Sequence, residues 1–273
     1  MRPNGRTALW TTAMACCLSL ITAPAKADSL ESFCDRLPRS AYSIFQKHPA
    51  STDWFEVYEI EPNVFALYEP FQWQEVISYL IVGERSAVLF DTGNGMSDIA
   101  AVVARLTDLP IIVLNSHSHT DHVGGNYAFD DIRSVDAAFS KVRRKGMSHE
   151  QVAEEVSAAA LCKGLPDGLK AEDYRIKPFT ISDVIADGDT IDIGGRLLEV
   201  LLIPGHTTDS IAMLDRQAGL LWTGDSFYAG PIWLYADETD FDTYRRSLVR
   251  LAALVPSLKR LLPAHNTPSA APF

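Results

Sequence analysis

The sequence predicts an α+β fold built on two sheets, and three observations carry that prediction. Residues 55–90 run through alternating or wholly apolar strand-length segments separated by turn residues. Helical runs interrupt the strands in each half of the chain. Apolar runs also stop, again and again, at a small or turn residue followed by a His or an Asp. The succession of strands, helix, strand and histidine-bearing loop occurs in both halves and suits a pseudo-symmetric pair of sheets.

Residues 28–53 read as an N-terminal arm, punctuated by Pro38 and Pro49 and with room for a short helix; His48 belongs there as a solvated loop residue. The domain proper, 54–273, begins with the half-buried strands Phe55–Ile60 and Val64–Tyr68, then Val76–Val82 and Ala87–Phe90. Asp91-Thr92-Gly93 opens a helix carrying Ile99, Val102, Val103 and Leu106 at helical spacing, and Pro110 stops it. Asp91 is either that helix's cap or a partner that orients a histidine, and both readings stand at this level. Ile111–Leu114 is a buried strand running into a histidine loop. After it come a polar turn and helices over about 136–144 and 148–161, the second with the capping box Ser148/Gln151; together they look like an insertion near a site mouth. His149 and the run Arg143-Arg144-Lys145 read as solvated surface.

Strands resume over 184–186, 190–193 and 196–203, with hairpin turns at Asp187-Gly188-Asp189 and Gly194-Gly195. Ile211–Asp215 and Leu220–Thr223 follow. A helix over about 240–255 places Phe241, Tyr244, Leu248, Leu251 and Val255 on one face, and the last strand, 260–262, leads to Pro263-Ala264-His265.

Residues 1–27 have the three parts of a secretory signal: basic Arg2 and Arg6, an apolar stretch from Ala8 to about Ala23, and Ala25-Lys26-Ala27 as a cleavage site. The expectation is export to the periplasm or beyond, with no stable membrane insertion after cleavage. The whole chain carries 24 basic and 35 acidic residues, a net charge of −11; loss of Arg2, Arg6 and Lys26 with the leader leaves 21 against 35, or −14. Such a surface disfavours nucleic acid and points to a small-molecule substrate. Cleavage leaves Cys34 and Cys162, which either pair or stay as separate buried thiols. Oligomeric state is not encoded in any of these features.

The centre of the sequence is Asn115-Ser116-His117-Ser118-His119-Thr120-Asp121-His122. Three imidazoles and a carboxylate within six positions after a buried strand have no packing rationale, whereas a zinc-type ion requires converging His nitrogens and Asp oxygens. Five of the seven histidines lie in this cluster or at the other strand ends, His206 and His265. Asp225 ends a strand in the same manner.

The pattern His117-x-His119-x-Asp121-His122, then Pro204-Gly205-His206, Gly224-Asp225 and Ala264-His265, resembles the metallo-β-lactamase superfamily in order and spacing, over nearly all of the chain beyond the leader. The resemblance implies a four-layer αββα sandwich of two mixed sheets, with metals at one sheet edge. It implies that His117, His119 and His206 hold one divalent ion, that Asp121, His122 and His265 hold a second, with zinc favoured, and that Asp225 bridges them. A hydroxide shared by the two ions would then cleave an ester, thioester or lactone, with Asp121 orienting it.

His119 stands where redox di-iron members carry an acid, which favours hydrolysis. Asp225 differs from the residue usual in true β-lactamases, and only eight residues follow His265, so the helical glutathione-binding domain of glyoxalase II is not expected. Tyr228 resembles the tyrosine by which lactone hydrolases bind a substrate carbonyl and is the second catalytic candidate beside Asp121; packing is its other reading. Phe71, Trp73, Phe227, Tyr228, Trp233 and Tyr235 are candidates for an apolar cleft wall. A β-lactam hydrolase, a one-iron persulfide dioxygenase and a metal-binding protein without turnover are the competing functions.

Overall fold

The computed structural model describes residues 34–266, so the leader expected at 1–27 lies outside the described residues. Strand β1 (Glu56–Glu61), β2 (Val64–Tyr68), β3 (Ile77–Val82) and β4 (Ala87–Phe90) follow one another antiparallel; β5 (Ile111–Leu114), β6 (Ile132–Val135) and β7 (Asp183–Ile185) continue the same sheet in parallel. The second sheet has the order β12-β11-β10-β9-β8, where β8 is Thr190–Asp192, β9 Leu197–Leu202, β10 Ile211–Asp215, β11 Leu220–Gly224 and β12 Arg260–Pro263. Its members are antiparallel except β11 and β12, which run parallel.

The alternation within each strand explains the layering. Val64, Ala66 and Tyr68 of β2 face the second sheet and pack with Val200, Met213 and Trp222, while Phe65 and Leu67 point outward into a cluster with Val102 and Val103 of helix α1 (Ile99–Val103). On the far side, Leu201, Ala212, Leu214 and Leu221 meet Leu251 of α5 (Phe241–Ala252). The result is the expected αββα sandwich. Because β2, β10 and β11 are covered on both faces, they read as continuous apolar runs rather than alternating ones.

The remaining helices are short: α2 (Thr120–Val123), α3 (Ala138–Arg143) and α4 (His149–Val152). The capping box at Ser148 forms, but α4 stops at Val152 and continues as a 3-10 turn, Ala153–Val156, well short of residue 161. Four other expectations need correction. The polar stretch after Phe129 contains strand β6. Asp91 does not cap α1; Asp98 does, accepting from the Ala101 amide at 3.0 Å. Asp187-Gly188-Asp189 is not a hairpin, because β7 and β8 lie in different sheets and this turn carries the chain between them. On α5 the buried residues are Tyr244, Ser247 and Leu251, while Phe241 is 65% exposed and Val255, beyond the helix, 54%.

A disulfide joins Cys34 to Cys162, fixing the arm to residues 160–162. That segment is bonded to the turn after β2: Trp73 N–H donates to Ala160 O at 3.0 Å, and Cys162 N–H to Phe71 O at 2.8 Å.

Parallel pairing matters most for function. Since β4 runs parallel to β5, and β11 to β12, their C-terminal ends open at one edge of the sandwich. The sheets are tied there by Ile211 N–H to Ser116 O at 2.7 Å and Ile77 N–H to Ala264 O at 2.8 Å. Two glycines allow the close approach. At Gly224, φ +52°, a Cβ would lie 2.4 Å from Ser116 Cβ; at Gly205, φ +137°, it would lie 2.3 Å from the backbone of Tyr244. Gly205→Ala is therefore expected to push α5 off the strand end, costing about 1–3 kcal/mol and lowering Tm by several degrees. An unchanged melting curve would show that helix and strand end do not meet this closely.

Candidate metal centre

The loop after β5 is held by its polar residues before any ligand is considered. Asn115 donates to His122 O at 2.7 Å and exchanges amide bonds with Asn126, while Thr92 N–H donates to the same His122 carbonyl at 2.9 Å. This turns the chain sharply into α2, where Asp121 and His122 occupy the first turn.

Around that loop the other strand ends deliver their ligands, and two donor groups result. In one, His117 Nε2, His119 Nδ1 and His206 Nε2 lie 2.9 to 3.1 Å from one another. In the other, Asp121 Oδ2 stands 3.2 Å from His122 Nε2 and 3.4 Å from His265 Nε2. Asp225 lies between them: Oδ1 is 3.1 Å from His265 Nε2 and 3.4 Å from His122 Nε2, and Oδ2 is 3.5 Å from His206 Nε2. All seven residues singled out in the sequence are thus brought together. His117, His122, Asp121, His206 and Asp225 are buried, with His119 and His265 partly open to the cavity.

The opposite ring atoms decide which nitrogens are free. His122 Nδ1 faces Asp91 Oδ2 at 3.0 Å, His206 Nδ1 faces Trp233 O at 2.9 Å, His265 Nδ1 faces Gln74 O at 2.7 Å, and His119 Nε2 faces Glu238 Oε1 at 2.8 Å. His117 Nδ1 faces Ser116 Oγ at 3.0 Å. Each of the four carbonyl or carboxylate partners accepts a ring N–H, which leaves the inward nitrogen as the one that can bind a metal. Three inward lone pairs about 3 Å apart repel one another unless a cation lies among them, and zinc bonds of about 2.0–2.1 Å suit donors at this separation. His122 Nε2 and Asp225 Oδ1 are, in addition, buried with no hydrogen-bond partner. The donor set therefore fits two divalent ions.

The electrostatics divide the imidazoles: against the pull of burial, Asp121, Asp91 and Asp225 hold His122 well above the usual range, and Asp225 and Asp121 raise His265, so a cation arriving there displaces a proton, whereas two of the first group are held neutral. Burial, reinforced by His122 and His206, holds His117 well below the usual imidazole range, the neutral state a ligand needs; burial likewise depresses His206. Burial would raise Asp121, but His122 and His265 outweigh it and bring it down to about 2. Asp225 is likewise driven well below the carboxylate range against its burial, chiefly by His265 and His122. Both carboxylates are ionised at neutral pH.

The centre forms the floor of a cavity of about 480 Å³. Its walls carry Trp73, Tyr228 and Trp233 from the aromatic set, and Arg143 and Glu155 from the insertion, which does reach the site mouth. Arg143 accordingly departs from the solvated-face reading, whereas Arg144 and Lys145 are exposed as expected. Phe71 instead packs against the outer core, Phe227 lines a separate apolar pocket beside α5, and Tyr235 is 70% exposed, its ring tilted 37° against Trp233 at 4.0 Å. The Tyr228 ring meets the edge of His265 at 5.7 Å. Its hydroxyl donates to Pro231 O at 2.9 Å and accepts from Trp233 N–H at 3.1 Å, so it braces the loop that presents Trp233 O to His206.

Sequence reasoning missed Glu238, Gln74 and Glu155. Glu238 is one acid among several in a loop without periodicity, and Gln74 acts through its backbone carbonyl, which no side-chain pattern can announce. Glu155 accepts from Gln72 Nε2 at 2.9 Å and Trp73 Nε1 at 3.1 Å, and its position over the cavity depends on α4 ending where it does.

Among relatives, acyl-coenzyme A thioesterase MBLAC2 of Bos taurus is 26% identical over 232 residues, covering 79% of this chain and 82% of its own length; the Homo sapiens protein of that name is 25% identical with the same coverage. A solved metallo-beta-lactamase from Pontibacter korlensis superposes with a TM-score of 0.56 at 20% identity, covering 78% of this chain and 92% of that one, a likeness of fold. With the family model of the metallo-beta-lactamase superfamily matching residues 73–265, from the cavity wall at Trp73 to the ligand at His265, the chain belongs to that superfamily.

Proposed function

We propose that the protein is an exported, two-zinc hydrolase of thioesters or of the related esters and lactones. The observation that carries the reading is the placement of Asp225, with one oxygen toward each donor group. A single structural ion would need only four closed ligands, and a one-iron dioxygenase only two imidazoles and a carboxylate; neither calls for seven donors in two sets joined by a carboxylate. The bovine and human relatives, named as thioesterases, support the thioester bond as the target.

Two divalent ions bound here would supply acidified water and a polarised carbonyl near neutral pH. The chain's own residues do the rest. Asp121, ionised and buried, can accept a hydrogen bond from the attacking water and hold it toward the substrate carbon. Asp91, Trp233 O, Gln74 O and Glu238 keep four imidazoles in one tautomer and one orientation. Trp73 and Trp233 give the substrate an apolar wall.

Export is supported by the leader pattern and by Cys34–Cys162, a bond that persists in oxidising compartments. Among the described residues no helix is long and apolar enough to cross a membrane.

Three outcomes are expected. Elemental analysis of purified protein should find close to two zinc ions per chain, and Asp91→Asn, which keeps shape but removes the charge facing His122, should weaken metal affinity about 10- to 100-fold. On a panel of thioester, lactone, β-lactam and phosphodiester substrates, turnover should appear with the thioester or lactone and vanish with Asp225→Ala or on chelation. Activity that survived complete metal removal would sink the proposal. Peptide mapping of protein recovered from the cell exterior or periplasm without reduction should find Cys34 linked to Cys162, and protein starting at Met1 in the cytosol with free thiols would refute export.

A further inference from the structure

The cavity wall contains four carboxylates, and each already has a partner. Asp121 and Asp225 face the ligand imidazoles, Glu238 accepts from His119, and Glu155 accepts from Gln72 and Trp73. Against them stands one guanidinium, Arg143, and its own bonding is poor. Among the described residues no carboxylate lies within ion-pair distance of it; one Nη–H points at Met147 Sδ at 2.8 Å, a weak acceptor, and Nε is buried with no hydrogen-bond partner.

Packing explains why it stays there. The guanidinium carbon lies 4.8 Å over the Phe139 ring, and that ring meets the edge of His119 at 5.4 Å. Two residues of one short helix thus set a cation no more than about 10 Å from a metal-facing imidazole, with an aromatic plane between them. A planar five-donor fork held in a cavity, in no ion pair with a protein acid among the described residues, matches a carboxylate or phosphate in a bidentate manner.

We propose that Arg143 is a specificity-determining residue that binds an anionic group, carboxylate or phosphate, carried by the substrate on the acyl or the thiol side of the scissile bond. The proposal rests on the hydrolase reading and narrows it to anionic thioesters and esters.

The test uses the full chain loaded with zinc and three substrates sharing one thioester bond. Succinyl-N-acetylcysteamine carries a carboxylate on the acyl half, butyryl-coenzyme A carries phosphates on the thiol half, and butyryl-N-acetylcysteamine is uncharged. Wild type should prefer one charged substrate over the uncharged one. Arg143→Ala should reduce that preference about 10- to 100-fold, chiefly through KM, and Arg143→Lys should keep part of it. The charged substrate that responds identifies the half of the molecule Arg143 holds. An unaltered preference overturns the proposal, as does an equal fall on all three substrates, which would mark Arg143 as acting through Glu238 and His119 instead. Should wild type cleave none of them, it is the thioester form of the hydrolase reading that fails. Calorimetry with succinate and with coenzyme A then decides the anion site: binding weakened at least about tenfold by Arg143→Ala supports it, and equal or absent binding overturns it.

Discussion

Everything in this molecule answers to one electrostatic constraint: seven donors with few protons to share are held with their ligand atoms in groups no wider than 4.8 Å. Inward lone pairs and ionised carboxylates at that spacing destabilise the chain until cations lie among them. Their positions must therefore be imposed from outside the cluster, by backbone that cannot relax. The sandwich does this by ending two pairs of parallel strands at one edge and bonding the sheets across it, beside His117 and His265. Gly205 and Gly224, each one residue ahead of a ligand, mark where backbone and neighbour come too close for a side chain.

Orientation is a second layer of the same constraint. A histidine at the right Cα can still present the wrong nitrogen, and here Asp91, Gln74 O, Trp233 O and Glu238 fix that choice at four of the five imidazoles. These partners come from a strand end and a turn of the first sheet and from the loop before α5. The centre is consequently coupled to the packing of the whole sandwich rather than to the histidine loop alone.

This division accounts for what the sequence reveals. The ligands were legible because side-chain chemistry at strand ends is written in residue types: a cluster such as His117 to His122 has no competing explanation, and His206, Asp225 and His265 repeat the device. Strands β1 to β5 and β7 to β12 were legible from runs of apolar residues. What failed depends on partners distant in the chain. Asp187-Gly188-Asp189 has hairpin chemistry whether the next strand returns to the same sheet or crosses to the other. Strand β6 is short and shows one buried residue, Ile132, too little for a periodic signal. The orienting carbonyls of Gln74 and Trp233 belong to backbone, which every residue shares.

Reactivity and selectivity are consequently built on different parts of the chain. The ligands come from strand ends that cannot move without disturbing the core, whereas Arg143, Glu155, Trp73 and Trp233 come from connecting segments around the cavity. Those segments are not loose. The Cys34–Cys162 bond anchors residues 160–162, the Trp73 and Phe71 backbones bond to the same residues, and Glu155 bonds back to Trp73. The turn stapled in this manner is also the one whose Gln74 carbonyl orients His265. One covalent link outside the catalytic edge thus stiffens a cavity wall and the orientation of His265 together.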